Sequence, residues 1–200
     1  MAKYNGPKDR LSRREGIDIF GKGAKLTRLN VLPGVHGPKG PGRNQSQFGR
    51  QLREKQKVKR IYGVLEKQFR IYVGKALKSK GNTGEALLIL LEKRLDNTVY
   101  KLGFAESRPM ARQLVSHRHI LVNGQKINIA SYQVSIGDVI SLAPKTLEIP
   151  NIKKLVIDTE FETPSWLERK VSVGKVVKDP VRLDIKELVS EQDIVEFYSR

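Results

Sequence analysis

The stretch SRPMARQLVSHRHILVNGQKINIASYQVSIGDVISL, residues 107–142, decides how the rest of the chain is read. Its spacing predicts a short basic helix, a tight hairpin and a further strand. Ser107 suits an N-cap, because its hydroxyl can accept from the free amides of the first helical turn. Arg108 and Pro109 follow, and proline is tolerated there because those amides lack an intrahelical partner. Ala111, Leu114 and Val115 recur at helical spacing and face a core, while Arg108 and Arg112, four apart, share the other face. The period then changes. Ile120 and Val122 precede Asn123-Gly124, the favoured pair for a type I′ turn, and Ile127 and Ile129 alternate beyond it. Ile136-Gly137-Asp138 reads as another turn, and Val139-Ile140 starts the next strand. A helix with an arginine face packed on a small sheet suits a phosphate backbone.

Composition narrows the class of partner. The 200 residues carry 38 Lys+Arg against 21 Asp+Glu, a formal charge of +17. That balance favours a polyanion, since each phosphate neutralised releases counterions. The charge is also lopsided. Residues 1–91 hold 21 Lys+Arg and 6 Asp+Glu, net +15, whereas residues 92–200 hold 17 and 15, net +2. The absence of cysteine excludes disulfides, cysteine nucleophiles and cysteine-based zinc sites, and fits a reducing compartment. No stretch approaches the roughly 20 apolar residues of a membrane span, and the polar N-terminus does not resemble a secretory signal. A cytoplasmic location and no membrane partner are expected.

Residues 1–45 read as an extended basic arm rich in Gly and Pro, ordered by a partner rather than by a core of its own. Tyr4 and Phe20 serve equally as base-stacking candidates and as local hydrophobic anchors. Over residues 46–80, Val58, Ile61, Leu65, Phe69, Tyr72 and Ala76 form a helical stripe, with Gly63 and Gly74 as candidate breaks. Arg53, Lys57, Arg60 and Lys67 run along a neighbouring face. Asn82 with Glu85 resembles a capping box for the next helix, which buries Leu87, Leu88, Leu91 and Leu95. Gly103 is a C-terminal stop. Further on, residues 154–157 and 171–177 read as strands, Gly174 as a turn or bulge, Trp166 as core, residues 184–189 as a short helix and 194–198 as a terminal element of open type.

Catalytic patterns are sparse. His36, His117 and His119 are the only histidines, and the His-x-His pair has no third ligand placed by a motif. Gly21-Lys22-Gly23 lacks the rest of a phosphate-binding loop or a dinucleotide fingerprint. An RNA-modifying enzyme would need a separate catalytic domain, for which residues 143–200 are short and poor in motifs. The expectation is a binding protein, not an enzyme, with no cofactor and no metal.

Several segments resemble a known family. RLDNTVYKLGF (94–104), SRPMARQLVSH (107–117), ILVNG (120–124) and INIASYQVSIGDVI (127–140) are similar to the S-four RNA-binding domain. GPKDRLSRREG (6–16), QLREKQKVKRIYGVLEKQFR (51–70), KGNTGEALLILLEKRLDN (80–97) and IVEFYSR (194–200) resemble the bacterial type of the small-subunit ribosomal protein S-four family. The resemblance implies an α+β fold. An arm at 1–45 precedes a helical domain at 46–91, completed by about 183–200. An inserted domain at 92–182 holds the S-four module, at about 92–155, as a small antiparallel sheet with helices on one side. It implies a primary binder of small-subunit ribosomal RNA that nucleates assembly of the subunit body and contributes to translational accuracy beside ribosomal proteins S-five and S-twelve. It implies residence in the ribosome, whether bacterial or organelle-encoded. Residues in matching motifs, and so candidate RNA contacts, are Arg10, Arg13, Arg14, Arg53, Lys57, Arg60, Arg70, Arg94, Arg108, Arg112, Gln113, Ser116 and His117. A messenger RNA entrance role would fall to Lys39, Arg43 and Arg50, in a loop richer in Gly and Pro than the family pattern. Zinc-holding members use cysteines near the N-terminus, and this chain has none.

Overall fold

The structure is a computed structural model that describes residues 4–39, 46–157, 161–185, 187 and 189–199. The chain divides into two compact units, Met1–Lys78 with Leu188–Arg200, and Ser79–Glu187.

The first unit is helical: α1 (Lys8–Glu15), α2 (Gln47–Ile61), α3 (Glu66–Leu77) and α8 (Glu191–Tyr198). Within the run read as an extended arm, α1 forms and ends at Gly16, whose φ of 68° only glycine adopts cheaply. The loop behind it is held from within. Arg13 donates to the carbonyls of Val31 and Leu32 at 2.9 and 3.1 Å, Asp18 accepts from the Gly23 amide at 2.7 Å, and Ile19 and Leu26 are buried. The long helical run breaks at Gly63 and not at Gly74, which lies inside α3. There the Gly63 amide bonds to the Arg60 carbonyl and the Val64 amide to the Lys59 carbonyl, the double bond of a Schellman end. That change of direction leaves Leu65 exposed, while Val58, Ile61, Phe69, Tyr72 and Ala76 are buried as their spacing predicts. The terminal element of open type is the helix α8, packed on α2.

The second unit holds α4 (Thr83–Glu92), α5 (Leu95–Lys101), α6 (Arg108–Ser116), α7 (Pro150–Ile157) and five strands: β1 (Ile120–Val122), β2 (Gln125–Lys126), β3 (Val139–Leu142), β4 (Leu167–Lys170) and β5 (Val173–Val176). They form one antiparallel sheet in the order β2-β1-β3-β5-β4. The Asn82 side chain caps α4, accepting from the Gly84 and Glu85 amides. Asn123 and Gly124 both take positive φ, as the hairpin turn requires. Alternate strand residues, among them Ile120, Val122, Ile140, Leu167 and Val176, pack with Leu95, Val99, Phe104, Leu114, Val115 and Trp166 into one core. Ile129, read as an alternating strand residue, lies beyond the short β2 and is exposed.

Three local expectations are corrected. Residues 154–157 belong to helix α7, because Ile152 and Val156, four apart, bury one helical face. Gly174 is a regular β5 residue paired with Ile140 and Arg169, and a Cβ there would lie 2.5 Å from both Leu102 methyls. Glycine therefore admits Leu102 against the sheet. Finally, the helix read at 184–189, of which 186 and 188 lie outside the described residues, is absent at 185, 187 and 189; a single turn covers Arg182–Asp184, held by Asp184 accepting from Ser165 at 2.6 Å and from the Val181 amide at 3.1 Å.

Candidate nucleic-acid interface

In the first unit, α1 and α2 bring three candidate cations, Arg14, Arg53 and Arg60, together around one carboxylate. Arg53, Lys57 and Arg60 recur at helical spacing along α2, and the buried Glu15 carboxylate of α1 meets the guanidiniums of Arg60 and, at 3.4 Å, Arg53. Burial works to raise the Glu15 carboxyl above its ordinary value, and it outweighs the opposing pull of Arg60, Arg53 and Arg14. Burial lowers Arg60 as well; Glu15 counteracts this, while Arg53 and Arg14 add to it by repulsion. One carboxylate thus faces three guanidiniums, and the surplus is positive. Arg10 and Arg14 are exposed on α1, and Arg14 is the third charge acting on Glu15. Lys57 is engaged by Glu54 at 3.2 Å, and Arg13 holds the loop described above. Elsewhere in the unit, Arg70 is exposed and 3.8 Å from Glu66. Lys39 is exposed, and Arg50 is exposed but 3.3 Å from Asp193. Arg43 lies outside the described residues.

The second unit sorts its candidates differently. Asp96 is 3% exposed and accepts from two arginines at once. Arg94 bonds both carboxylate oxygens at 3.0 and 2.8 Å, and Arg112 bonds Oδ2 at 2.8 and 2.6 Å. Arg94 is itself buried, so its first role is to hold the start of α5. Arg108 donates Nε–H to Asn97 Oδ1 at 2.8 Å, lies 4.7 Å above the Tyr100 ring and meets the Glu187 carboxylate. The arginine side of α6 is therefore tied down by internal partners. Ser116 donates its hydroxyl to the Arg112 carbonyl. Gln113 and His117, one turn apart, are exposed. Ser107 begins α6 without the side-chain cap that its position suggests.

Sequence reasoning missed Arg118. It ends α6 in the left-handed conformation, φ 62°, with its amide on the Val115 carbonyl and the His119 amide on the Leu114 carbonyl. Glycine is the ordinary residue at that place in a helix end. An exposed arginine there, beside Gln113 and His117, is a strained cation kept on the surface. The signal available in the sequence was a helix that runs into a hairpin with no glycine at its end. Lys101 was missed too, since only the fold places it beside Arg108 and Glu187.

These features define a class: a basic α+β protein of two units, whose first unit crowds cations onto adjacent helices and whose second orders a helix end over a small antiparallel sheet. The family model described as the Ribosomal protein S4/S9 N-terminal domain matches residues 3–92, and that described as the S4 domain matches residues 93–140. The chain is 50% identical over 208 residues to the small ribosomal subunit protein uS4 of Ralstonia pickettii, with both chains covered in full. It is 48% identical over 210 residues to the protein of that name from Natranaerobius thermophilus, again across the whole of both. The chain belongs to the uS4 family of small ribosomal subunit proteins.

Proposed function

We propose that this chain is a structural constituent of the small ribosomal subunit that binds small-subunit ribosomal RNA directly. In this reading it nucleates assembly of the subunit body and contributes to translational accuracy. The observation that carries the proposal is the surplus of guanidinium around Glu15, where Arg60, Arg53 and the exposed Arg14 meet one carboxylate, with the exposed Arg10 further along α1. Arginine forks take phosphate oxygens in pairs, and a phosphate would relieve the repulsion that the one carboxylate leaves. Phosphate contacts position a protein without reading sequence, so recognition falls to the shape of a folded RNA junction. Gln113, His117 and Arg118 supply a second contact face, on the S4 module. Lys39 and Arg50 are the described candidates for lining a messenger RNA entrance, and ribosomal proteins S-five and S-twelve are the expected protein neighbours. The helical and S4 regions act as separate domains in this account. A chemical footprint of the full chain on naked small-subunit ribosomal RNA tests it: protection concentrated at one helical junction is expected, and uniform weak protection would remove the reading.

A further inference from the structure

Burial works to raise the Glu187 carboxyl, but Arg108 and Lys101 prevail and hold it below its ordinary value. Its Oε1 takes both cations, the guanidinium of Arg108 and the ammonium of Lys101 at 3.3 Å. Its Oε2 is buried with no hydrogen-bond partner among the described residues. The cations themselves are well braced. Arg108 is held by Asn97 and Tyr100, and Lys101 stands 4.0 Å from Glu92, whose carboxylate also accepts from Asn97 at 2.8 Å. The cluster is not sealed either, since the Arg108 and Lys101 side chains are each 13% exposed and that of Glu187 16%. Two preorganised cations that share one oxygen of a single, partly exposed carboxylate make a site that another anion can contest. A phosphodiester offers two non-bridging oxygens, one for each cation.

We propose that Lys101 and Arg108 form an RNA phosphate site that Glu187 fills in the free protein, so that RNA displaces the carboxylate and frees the segment leading into α8. The displacement is an exchange of ion pairs and breaks no covalent bond. It rests on the proposed RNA binding and adds a competing internal ligand to it. The cost of evicting Glu187 lowers the apparent affinity, so removing its charge strengthens binding.

The test uses the full chain and a small-subunit ribosomal RNA transcript at moderate salt. Glu187→Gln is expected to bind about three- to tenfold tighter, the net scale of one ordinary hydrogen bond. Glu168→Gln, an exposed acid removed from the same unit, controls for net charge. The gain should vanish when Arg108→Ala is present in both members of the pair. A gain no larger than that of the control, or one that survives in the Arg108→Ala background, overturns the proposal. Should Glu187→Gln fail to fold, hydrogen exchange of the wild-type peptide 183–190 decides: faster exchange in the RNA complex supports displacement, and unchanged or slower exchange refutes it. Steep, salt-sensitive binding by the wild type upholds the RNA-binding reading whichever way Glu187 behaves.

Discussion

Arg118 and Gly174 show how much a single side chain, or the lack of one, decides. Arg118 occupies a left-handed position where a Cβ is unfavourable, although a cation does suit the negative end of a helix. Relieving that strain with Arg118→Gly should raise stability by about 0.5–1 kcal/mol in urea unfolding while weakening RNA binding. A variant both less stable and equally tight would show that the arginine serves the fold and not the ligand. Gly174 presents the opposite case. Its backbone is ordinary strand, so the constraint is space: Gly174→Ala drives a methyl to within 2.5 Å of the Leu102 branch. Overpacking of this kind should cost about 1–3 kcal/mol, read as a lower denaturant midpoint. Neither residue was legible in its full role. A glycine in a strand signals close approach or a bulge alike, and only the partner Leu102 chooses between them.

Among the elements, helices with long apolar stripes were legible and short ones were not. Six apolar positions at helical spacing marked residues 46–80, and Asn82 with Glu85 marked where α4 begins. By contrast, α7 packs its branched residues Ile152, Val156 and Ile157 into eight positions, too few turns for the period to overcome their preference for strands. Partners far apart in the chain were the least legible, because Glu66 meets Tyr198 and Lys101 meets Glu187 only through folding. The Glu66 clasp holds α8 in place. Its carboxylate accepts from Lys55 and Lys59 at 3.0 Å each and from the Tyr198 hydroxyl at 2.8 Å, while the Lys55 ammonium lies 4.4 Å above the Phe197 ring. Burial tends to raise the Glu66 carboxyl, but the hydrogen bonds from Lys59, Lys55 and Tyr198 prevail and hold it at about 2, against an ordinary 4.5. A carboxyl depressed by folding stabilises above its unfolded value and loses that contribution as pH falls through the folded one. After screening at this partly exposed site, about 1–2 kcal/mol should disappear between pH 4.5 and 2. Wild type and Glu66→Gln compared across that range should converge at the acid end; parallel curves would mean the clasp contributes nothing.

Across the whole molecule, the sequence located the surplus charge correctly but could not sort contact cations from structural ones. The internal acceptor of Arg94, Asp96, lies two residues away in the same motif, while those of Arg108 and Arg112, Asn97 and Asp96, come from a different helix. An arginine spent on a buried carboxylate and an arginine facing solvent look alike in a motif. Substitution separates them. Arg94→Ala leaves Asp96, 3% exposed, with Arg112 as its one cation and the Asn97 amide on Oδ1, and loss of a buried partner costs about 3–5 kcal/mol. Its effect should appear first as a fall in Tm. Arg10→Ala with Arg14→Ala removes two exposed cations, and Glu15 keeps Arg60 and Arg53 as its closer partners, so Tm should stay within a degree or two. Their loss should instead appear in the plot of log affinity for ribosomal RNA against log salt, whose slope becomes shallower by about 1.4–1.8 for two phosphates released. An unchanged slope in the double variant would take α1 out of the contact surface, and with it the cluster around Glu15 on which the proposed function chiefly stands.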